Sequence, residues 1–247
     1  MSDISLPGSA VVGFDADDTL WRSEDFFEEA QDRYEDIVGR YIDLSDSTAR
    51  EQLYGIETAN LKVFGYGVKS MTLSMIEAAV LLTEGRIDGA DVHRIVQIGK
   101  DMLVHPVELL DGVTEAVEEV ARRFPVVLIT KGDLIHQESK VRASGLSSTF
   151  SRIEIVSEKD PQTYTRVLRE LEVEPGQFVM VGNSVRSDIT PVLTLGGWGV
   201  HIPYHLTWQH EVQAEPPSDG DLPRMRTLAS MRELPETLTA LTDSSPA

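Results

Sequence analysis

The sequence predicts an α/β fold, in which a parallel β-sheet is covered by helices on both faces and carries a long helical insertion. Short apolar runs rich in β-branched residues recur along the chain, and amphipathic helical segments lie between several of them. Runs that are apolar throughout and alternate with helices are typical of parallel strands buried on both faces. A stretch with helical periodicity interrupts this pattern after the first run.

The strands and helices of the core are predicted in chain order from these runs. Asp111-Gly112 opens one helix, whose valines recur at spacings of four and three, and Asp160-Pro161 opens another with an N-cap and a proline at the first helical position. Residues 214–223 are predicted as a surface linker, and 226–241 as a final strand or helix. The predicted strands are residues 10–14, 126–130, 153–156, 178–181 and 199–203.

Residues 23–105 break the alternation and predict a separate helical domain. Phe26, Phe27, Ala30 and Tyr34 recur at helical spacing, a methionine-rich amphipathic stretch follows them, and no run is a convincing strand. The core domain is therefore expected to comprise residues 1–22 and 106–247.

Composition narrows the classes of function. The chain has 247 residues, no cysteine and a formal net charge of -19, so thiolate metal sites are excluded and nucleic acid is not an expected partner. No run of about 18 apolar residues occurs, and the N-terminal residues lack the pattern of a signal peptide. We therefore expect a cytoplasmic protein with no membrane partner, and the oligomeric state stays open.

Polar side chains follow four of the predicted strands where each strand ends. In an open α/β sheet, ligands bind at the carboxyl ends of the strands, so these side chains are expected to share one site. They are Asp15, Asp17, Asp18 and Thr19 after the first strand, Thr130, Lys131, Gly132 and Asp133 after the second, Lys159 and Asp160 after the third, and Gly182, Asn183, Ser184 and Asp188 after the fourth.

These motifs, in this order, resemble the four motifs of the haloacid dehalogenase superfamily. The resemblance covers the core and implies a Rossmann-like domain, with the helical insertion as a cap of the C1 type that closes over the site. Asp15 suits a carboxylate nucleophile that forms an aspartyl-phosphate. Asp17, two residues on, is expected to point to the same side and to act as general acid and base. Thr130, Lys131 and Lys159 are expected to bind the phosphoryl group, with Thr130 and Lys159 also assigned to catalysis.

Crowded carboxylates need a counterion, and Mg²⁺ is the predicted cofactor. Asp15, Asp188, Asn183 and the backbone carbonyl of Asp17 are the expected ligands by resemblance, with Asn183 standing where many relatives have aspartate. A helix is predicted to start at Asp188, with Pro191 in its first turn.

The expected activity is hydrolysis of a small phosphorylated metabolite. Asp17 favours this reaction, because superfamily members that attack carbon usually lack the second aspartate. A 2-haloacid dehalogenase, a phosphomutase, and a phosphate- or metal-binding module that has lost its activity remain as alternatives.

Overall fold

The computed structural model describes residues 6–44, 48–212, 220 and 222–243. The chain forms two compact units. One holds Val107–Lys131 with the described residues of Met1–Arg22 and Glu138–Ala247, and the other holds Ser23–Pro106 and Gly132–Gln137. Among the described helices, none is long and apolar enough to cross a membrane.

The first unit is built on a parallel sheet whose strand order reverses in the middle. The order is β3-β2-β1-β4-β5-β6, so the chain moves outward from β1 to one edge and then returns to build the other side from β4. Such a reversal leaves a crevice at the carboxyl ends of the two central strands, β1 and β4. The strands are β1 (Val11–Phe14), β2 (Val126–Lys131), β3 (Arg152–Val156), β4 (Phe178–Gly182), β5 (Trp198–His201) and β6 (Met225–Thr227).

Helices form the second unit, and within the first unit other helices flank the sheet. In the described residues of 23–106 no strand is present, as the sequence predicts. The helices are α1 (Glu24–Val38), α2 (Thr48–Phe64), α3 (Val68–Leu82), α4 (Gly89–Leu103), α5 (Val113–Ala121), α6 (Leu134–Ala143), α7 (Pro161–Leu171), α8 (Thr190–Thr194) and α9 (Leu234–Asp243).

Alternation along the central strands divides the core of the first unit into two layers. Val12 and Phe14 point into a cluster that contains side chains of α5 and α9, whereas Val11 points into a cluster formed with α7 and α8. In β4, Val179 joins the first cluster and Met180 the second. Both faces of the sheet are thus buried, which confirms the predicted fold class and explains why these strands are apolar throughout.

Two local predictions need correction or completion. The helix predicted to start at Asp188 starts earlier, with a π-helical turn over Val185–Ile189, because the Ser184 side chain accepts a hydrogen bond from the Ser187 N–H and caps this turn. The final element is both a strand, β6, and a helix, α9. Most of the predicted linker 214–223 lies outside the described residues.

Candidate active site

The carboxyl ends of the strands carry the polar residues that the sequence singles out. The Asp15 N–H donates to the Val181 carbonyl at 2.9 Å, which extends the pairing of β1 with β4 by one residue. Lys159 stands directly before α7, where the Asp160 side chain accepts from the Thr163 N–H and fixes the start of the helix. The chain therefore enters α7 in a defined direction, and the Lys159 side chain is buried.

Lys159 binds two buried carboxylates. Its ammonium group donates to Asp15 Oδ1, and to Asp188 Oδ1 at 2.7 Å. The exposed fractions of the three side chains are 2% for Lys159, 9% for Asp15 and 1% for Asp188. Burial alone would lower the pKa of Lys159, but the attraction of the two carboxylates outweighs it and holds this pKa above its ordinary value. The lysine is thus a fixed positive charge.

The pKa of Asp188 is raised because its carboxyl group is buried next to Asp15. Burial, and then repulsion from Asp15, raise the pKa of Asp188 to about 7, although Lys159 and the Ser184 N–H both bind its carboxylate. Gly182 makes room for it, because a Cβ at that position would lie 2.2 Å from Asp188 Oδ2. When Asp188 is ionised, two carboxylates face one ammonium group, and the cluster has an excess of negative charge.

Thr19 connects β1 to β4 at the site. Its hydroxyl donates to Asp15 Oδ2 at 2.9 Å and accepts from the Asn183 N–H at 3.0 Å, and Asn183 Oδ1 lies 3.3 Å from it. Because a hydroxyl has one hydrogen, the shorter contact with Asp15 is the stronger donation. Both carboxylate oxygens of Asp15 are therefore oriented, one by Lys159 and the other by Thr19.

Asp17 is bound by two side chains of the same unit. Its Oδ1 accepts from Lys140 Nζ at 2.6 Å and from Trp21 Nε1 at 2.6 Å, and its Oδ2 lies 2.8 Å from the same ammonium group. The chain turns tightly here, since Asp18 has a φ of 62° and its N–H donates to the Trp21 carbonyl. The structure therefore places the proposed acid and base in an ion pair with α6, a contact that sequence reasoning missed.

The two residues at the end of β2 have different surroundings. Thr130 is buried, with 1% of its surface exposed. Lys131 Nζ lies 2.5 Å from Glu211 Oε1, 3.0 Å from Ser187 Oγ and 3.6 Å from Glu158 Oε1. Lys131, a predicted substrate ligand, is thus already paired with a carboxylate.

The donor chemistry of the site fits a hard divalent cation. In the described part of the chain, no three His, Cys, Asp or Glu side chains come together as a metal cluster. Mg²⁺ does not require such a cage, because one or two carboxylates, waters and substrate oxygens usually complete its shell. The carboxylates of Asp15 and Asp188 both bind Lys159, and Thr19 lies within hydrogen-bonding distance of both Asp15 and Asn183 Oδ1. The negative charge of the two aspartates favours a cation. Mg²⁺ and its ligand set stay a prediction.

The sequence reasoning missed two contributors, Lys140 as a partner of Asp17 and Glu211 as a partner of Lys131. Thr19 and Ser184 were expected at the site, but their roles as a partner of Asp15 and as the cap of the turn before Asp188 were not predicted. Lys140 and Glu211 lie outside all four motifs, and only the fold brings them to the site.

A Rossmann-like sheet with a helical insertion after its first strand, and with a buried lysine that joins two aspartates at its carboxyl edge, defines the class of α/β domains that bind their ligand at the strand ends. This chain belongs to the haloacid dehalogenase-like hydrolase family, whose model matches residues 10–192.

Individual relatives agree with this assignment. A haloacid dehalogenase-like family hydrolase from Xanthomonas campestris has a crystal structure with a TM-score of 0.83 and 49% identity, over 97% of each chain. A 2-haloacid dehalogenase from Pseudomonas syringae pv. Tomato shares the fold, with a TM-score of 0.63 and 21% identity, over 94% of this chain and 99% of that one. N-acylneuraminate-9-phosphatase of Mus musculus is 29% identical over 129 residues, which are 49% of this chain and 51% of the relative. The chain thus spans about half the length of the curated relatives it matches.

Proposed function

We propose that this protein is a Mg²⁺-dependent phosphohydrolase that cleaves a small phosphorylated metabolite through an aspartyl-phosphate on Asp15. The observation that carries the proposal is the orientation of the Asp15 carboxylate by Lys159 and Thr19 at the carboxyl edge of the sheet. The partial similarity to a phosphatase supports the same class of reaction. A carboxylate held from both sides suits attack in one direction, because its orientation is fixed before the substrate arrives.

In the first step, an Asp15 oxygen bonds to phosphorus while the bond from phosphorus to the ester oxygen breaks. Protonated Asp17 gives its proton to the departing oxygen, which leaves as an alcohol. In the second step, Asp17 takes a proton from water, whose oxygen attacks the phosphorus and frees Asp15 and inorganic phosphate. Thr130, Lys131 and Lys159 are proposed to bind the phosphoryl oxygens.

The pair between Asp17 and Lys140 is a resting arrangement in this mechanism. Lys140 binds the carboxylate form of Asp17, whereas the first step needs the protonated form. Asp17 therefore leaves Lys140 before the alcohol is released. A Lys140→Met variant would test whether the pair limits this step.

Asp15, Asp188, Asn183 and the backbone carbonyl of Asp17 would hold Mg²⁺, which supplies positive charge to the phosphoryl oxygens when bound. The helical unit is proposed to act as a cap that restricts the site to small substrates.

The test is a panel of phosphorylated metabolites, including N-acylneuraminate 9-phosphate as the substrate that the relative's name gives, assayed for phosphate release with Mg²⁺. Wild type should release phosphate from at least one member, and Asp15→Asn should abolish release while the circular dichroism spectrum is unchanged. Asp32→Asn is the matched control, because Asp32 is an exposed carboxylate on α1. Retained turnover in Asp15→Asn would refute the mechanism.

Adding 2-haloacids to the panel, together with assays for halide, for isomeric sugar phosphates and for binding, separates the alternatives. A 2-haloacid dehalogenase would release halide from 2-haloacids in the presence of a chelator, since it attacks carbon and needs no metal. A phosphomutase would convert one sugar phosphate to an isomer without net phosphate release. A binding module without activity would bind a phosphate ester tightly and turn over none.

A further inference from the structure

Glu211 brings a partly buried carboxylate to the site from outside the four motifs. It ends a short 3₁₀ turn, Gln209–Glu211, after β5, and 13% of its side chain is exposed. Its carboxylate lies 2.5 Å from Lys131 Nζ, 2.6 Å from Ser184 Oγ and 2.5 Å from Ser187 Oγ. Lys131 ends β2 and the two serines follow β4, so one side chain binds two separate strand ends.

The two serines belong to the turn that orients Asp188. The Ser184 N–H donates to Asp188 Oδ2 at 3.0 Å, and the Ser184 hydroxyl accepts from the Ser187 N–H at 3.0 Å. The Tyr164 hydroxyl, buried on α7, donates to the Ser187 carbonyl at 3.2 Å. Glu211 therefore contacts Asp188 only through the residues that hold it.

Glu211 stays ionised near neutral pH because its partners stabilise the carboxylate. Burial would raise the pKa of Glu211, but the Lys131 ammonium group and the hydrogen bonds from Lys131, Ser184 and Ser187 outweigh it and lower this pKa to about 2. Glu211 is thus an anion near neutral pH, and it compensates the charge of Lys131.

We propose that Glu211 is a positioning residue for the site. It fixes the turn Ser184–Asp188 to the end of β2, and so keeps the Asp188 carboxylate aimed at Lys159 and Asp15. Glu211 acts through Lys131, Ser184 and Ser187 and does not touch the substrate. The kinetic part of this inference rests on the proposed phosphohydrolase function, whereas the part about the turn does not.

Kinetics of Glu211→Ala on the substrate found by the panel test the first part. Positioning predicts that kcat falls about 10- to 100-fold while KM changes less than about threefold, because a misaimed group near the reaction weakens the transition state more than binding. Glu119→Ala, which removes an exposed glutamate of α5, should leave both parameters unchanged. A KM that rises about tenfold with kcat unchanged would overturn the proposal, as would a Glu211→Ala variant that behaves like Glu119→Ala.

A double variant separates positioning from stability. Glu211→Gln removes the nearest carboxylate of the Lys131 ammonium group, whereas Lys131→Met/Glu211→Gln removes both charges and should recover the unfolding midpoint of wild type. If Glu211 positions the turn, the amides of Ser184 and Ser187 in the double variant still exchange about tenfold or more faster than in wild type, because the link between the strand ends is gone. If their exchange recovers together with the midpoint, the role is only structural and the proposal is wrong.

Hydrogen exchange tests the turn without any assay of activity. The amides of Ser184 and Ser187 are hydrogen-bonded within the turn, and in Glu211→Ala their exchange should accelerate about tenfold or more relative to Glu119→Ala. Unchanged exchange would refute the positioning role. If wild type turns over no phosphate ester but the exchange accelerates, the proposed function fails while the role of Glu211 in the turn stands.

Discussion

Replacing Lys159 by methionine removes the one cation, among the described residues, that forms ion pairs with both Asp15 and Asp188. Removing one partner of a buried ion pair costs about 3–5 kcal/mol, and here two carboxylates lose the same partner. Protonation limits the penalty, since burial and Asp15 already raise the pKa of Asp188 to about 7. We therefore expect metal-free Lys159→Met to lose about 3–5 kcal/mol of unfolding free energy at pH 8 and less at pH 6.

Urea unfolding in the presence of a chelator measures this loss. Tryptophan fluorescence is a suitable probe because Trp21 and Trp198 are fully buried in the sheet unit. Arg169→Met removes an exposed cation of α7 and should change stability by no more than about 0.5 kcal/mol. Adding Asp188→Asn to Lys159→Met should recover part of the loss. A loss below about 1 kcal/mol in Lys159→Met would refute the reasoning that Lys159 compensates the buried charge.

Three further predictions concern packing, pH and metal. Gly182→Ala should cut turnover at least about tenfold, because the added Cβ would lie 2.2 Å from Asp188 Oδ2, whereas Gly176→Ala, with no atom within 4 Å of its Cβ, should be silent in the same assay. The pKa of Glu211 is lowered from 4.5 to about 2, so the stability that its ionised form contributes is complete above pH 4.5 and is lost as the pH falls towards 2. The free energy of unfolding of wild type minus that of Glu211→Gln should therefore be about 3 kcal/mol smaller at pH 2 than at pH 6, as measured by urea unfolding at the two pH values. Chelation of Mg²⁺ should abolish phosphate release, and added Mg²⁺ should restore it; activity that survives the chelator would contradict the proposed metal dependence.

The fold could be predicted because a sheet that is buried on both faces has strands that are apolar throughout, and such runs can be recognised in the sequence. The ends of the five predicted strands agree with the structure to within one or two residues, and the Asp160-Pro161 signal gives the start of α7. The start predicted at Asp188 failed because a serine four residues earlier caps the turn, and local capping outweighed the proline that suggested the later start.

The site was harder to predict because its supporting contacts are distant in sequence. Lys140 reaches Asp17 across 123 positions, and Glu211 reaches Lys131 across 80. A lysine on a helix and a glutamate in a loop are ordinary surface residues by pattern alone. Only the strand order, which brings the ends of β2 and β4 to either side of β1, determines which of them become buried partners.

The charge at the site gives a physical reason for the proposed metal that does not depend on the family. Three lysines lie at the carboxyl edge of the sheet, and each forms an ion pair with a carboxylate: Lys159 with two aspartates, Lys131 with Glu211 and Lys140 with Asp17. None of these contacts leaves a surplus of positive charge, and the Lys159 cluster has a surplus of negative charge when Asp188 is ionised. A phosphate monoester adds further negative charge, and two like charges about 4 Å apart repel by about 4 kcal/mol at an effective dielectric constant of 20. The phosphoryl transfer to Asp15 that we propose would therefore need a cation in addition to the lysines of the described residues.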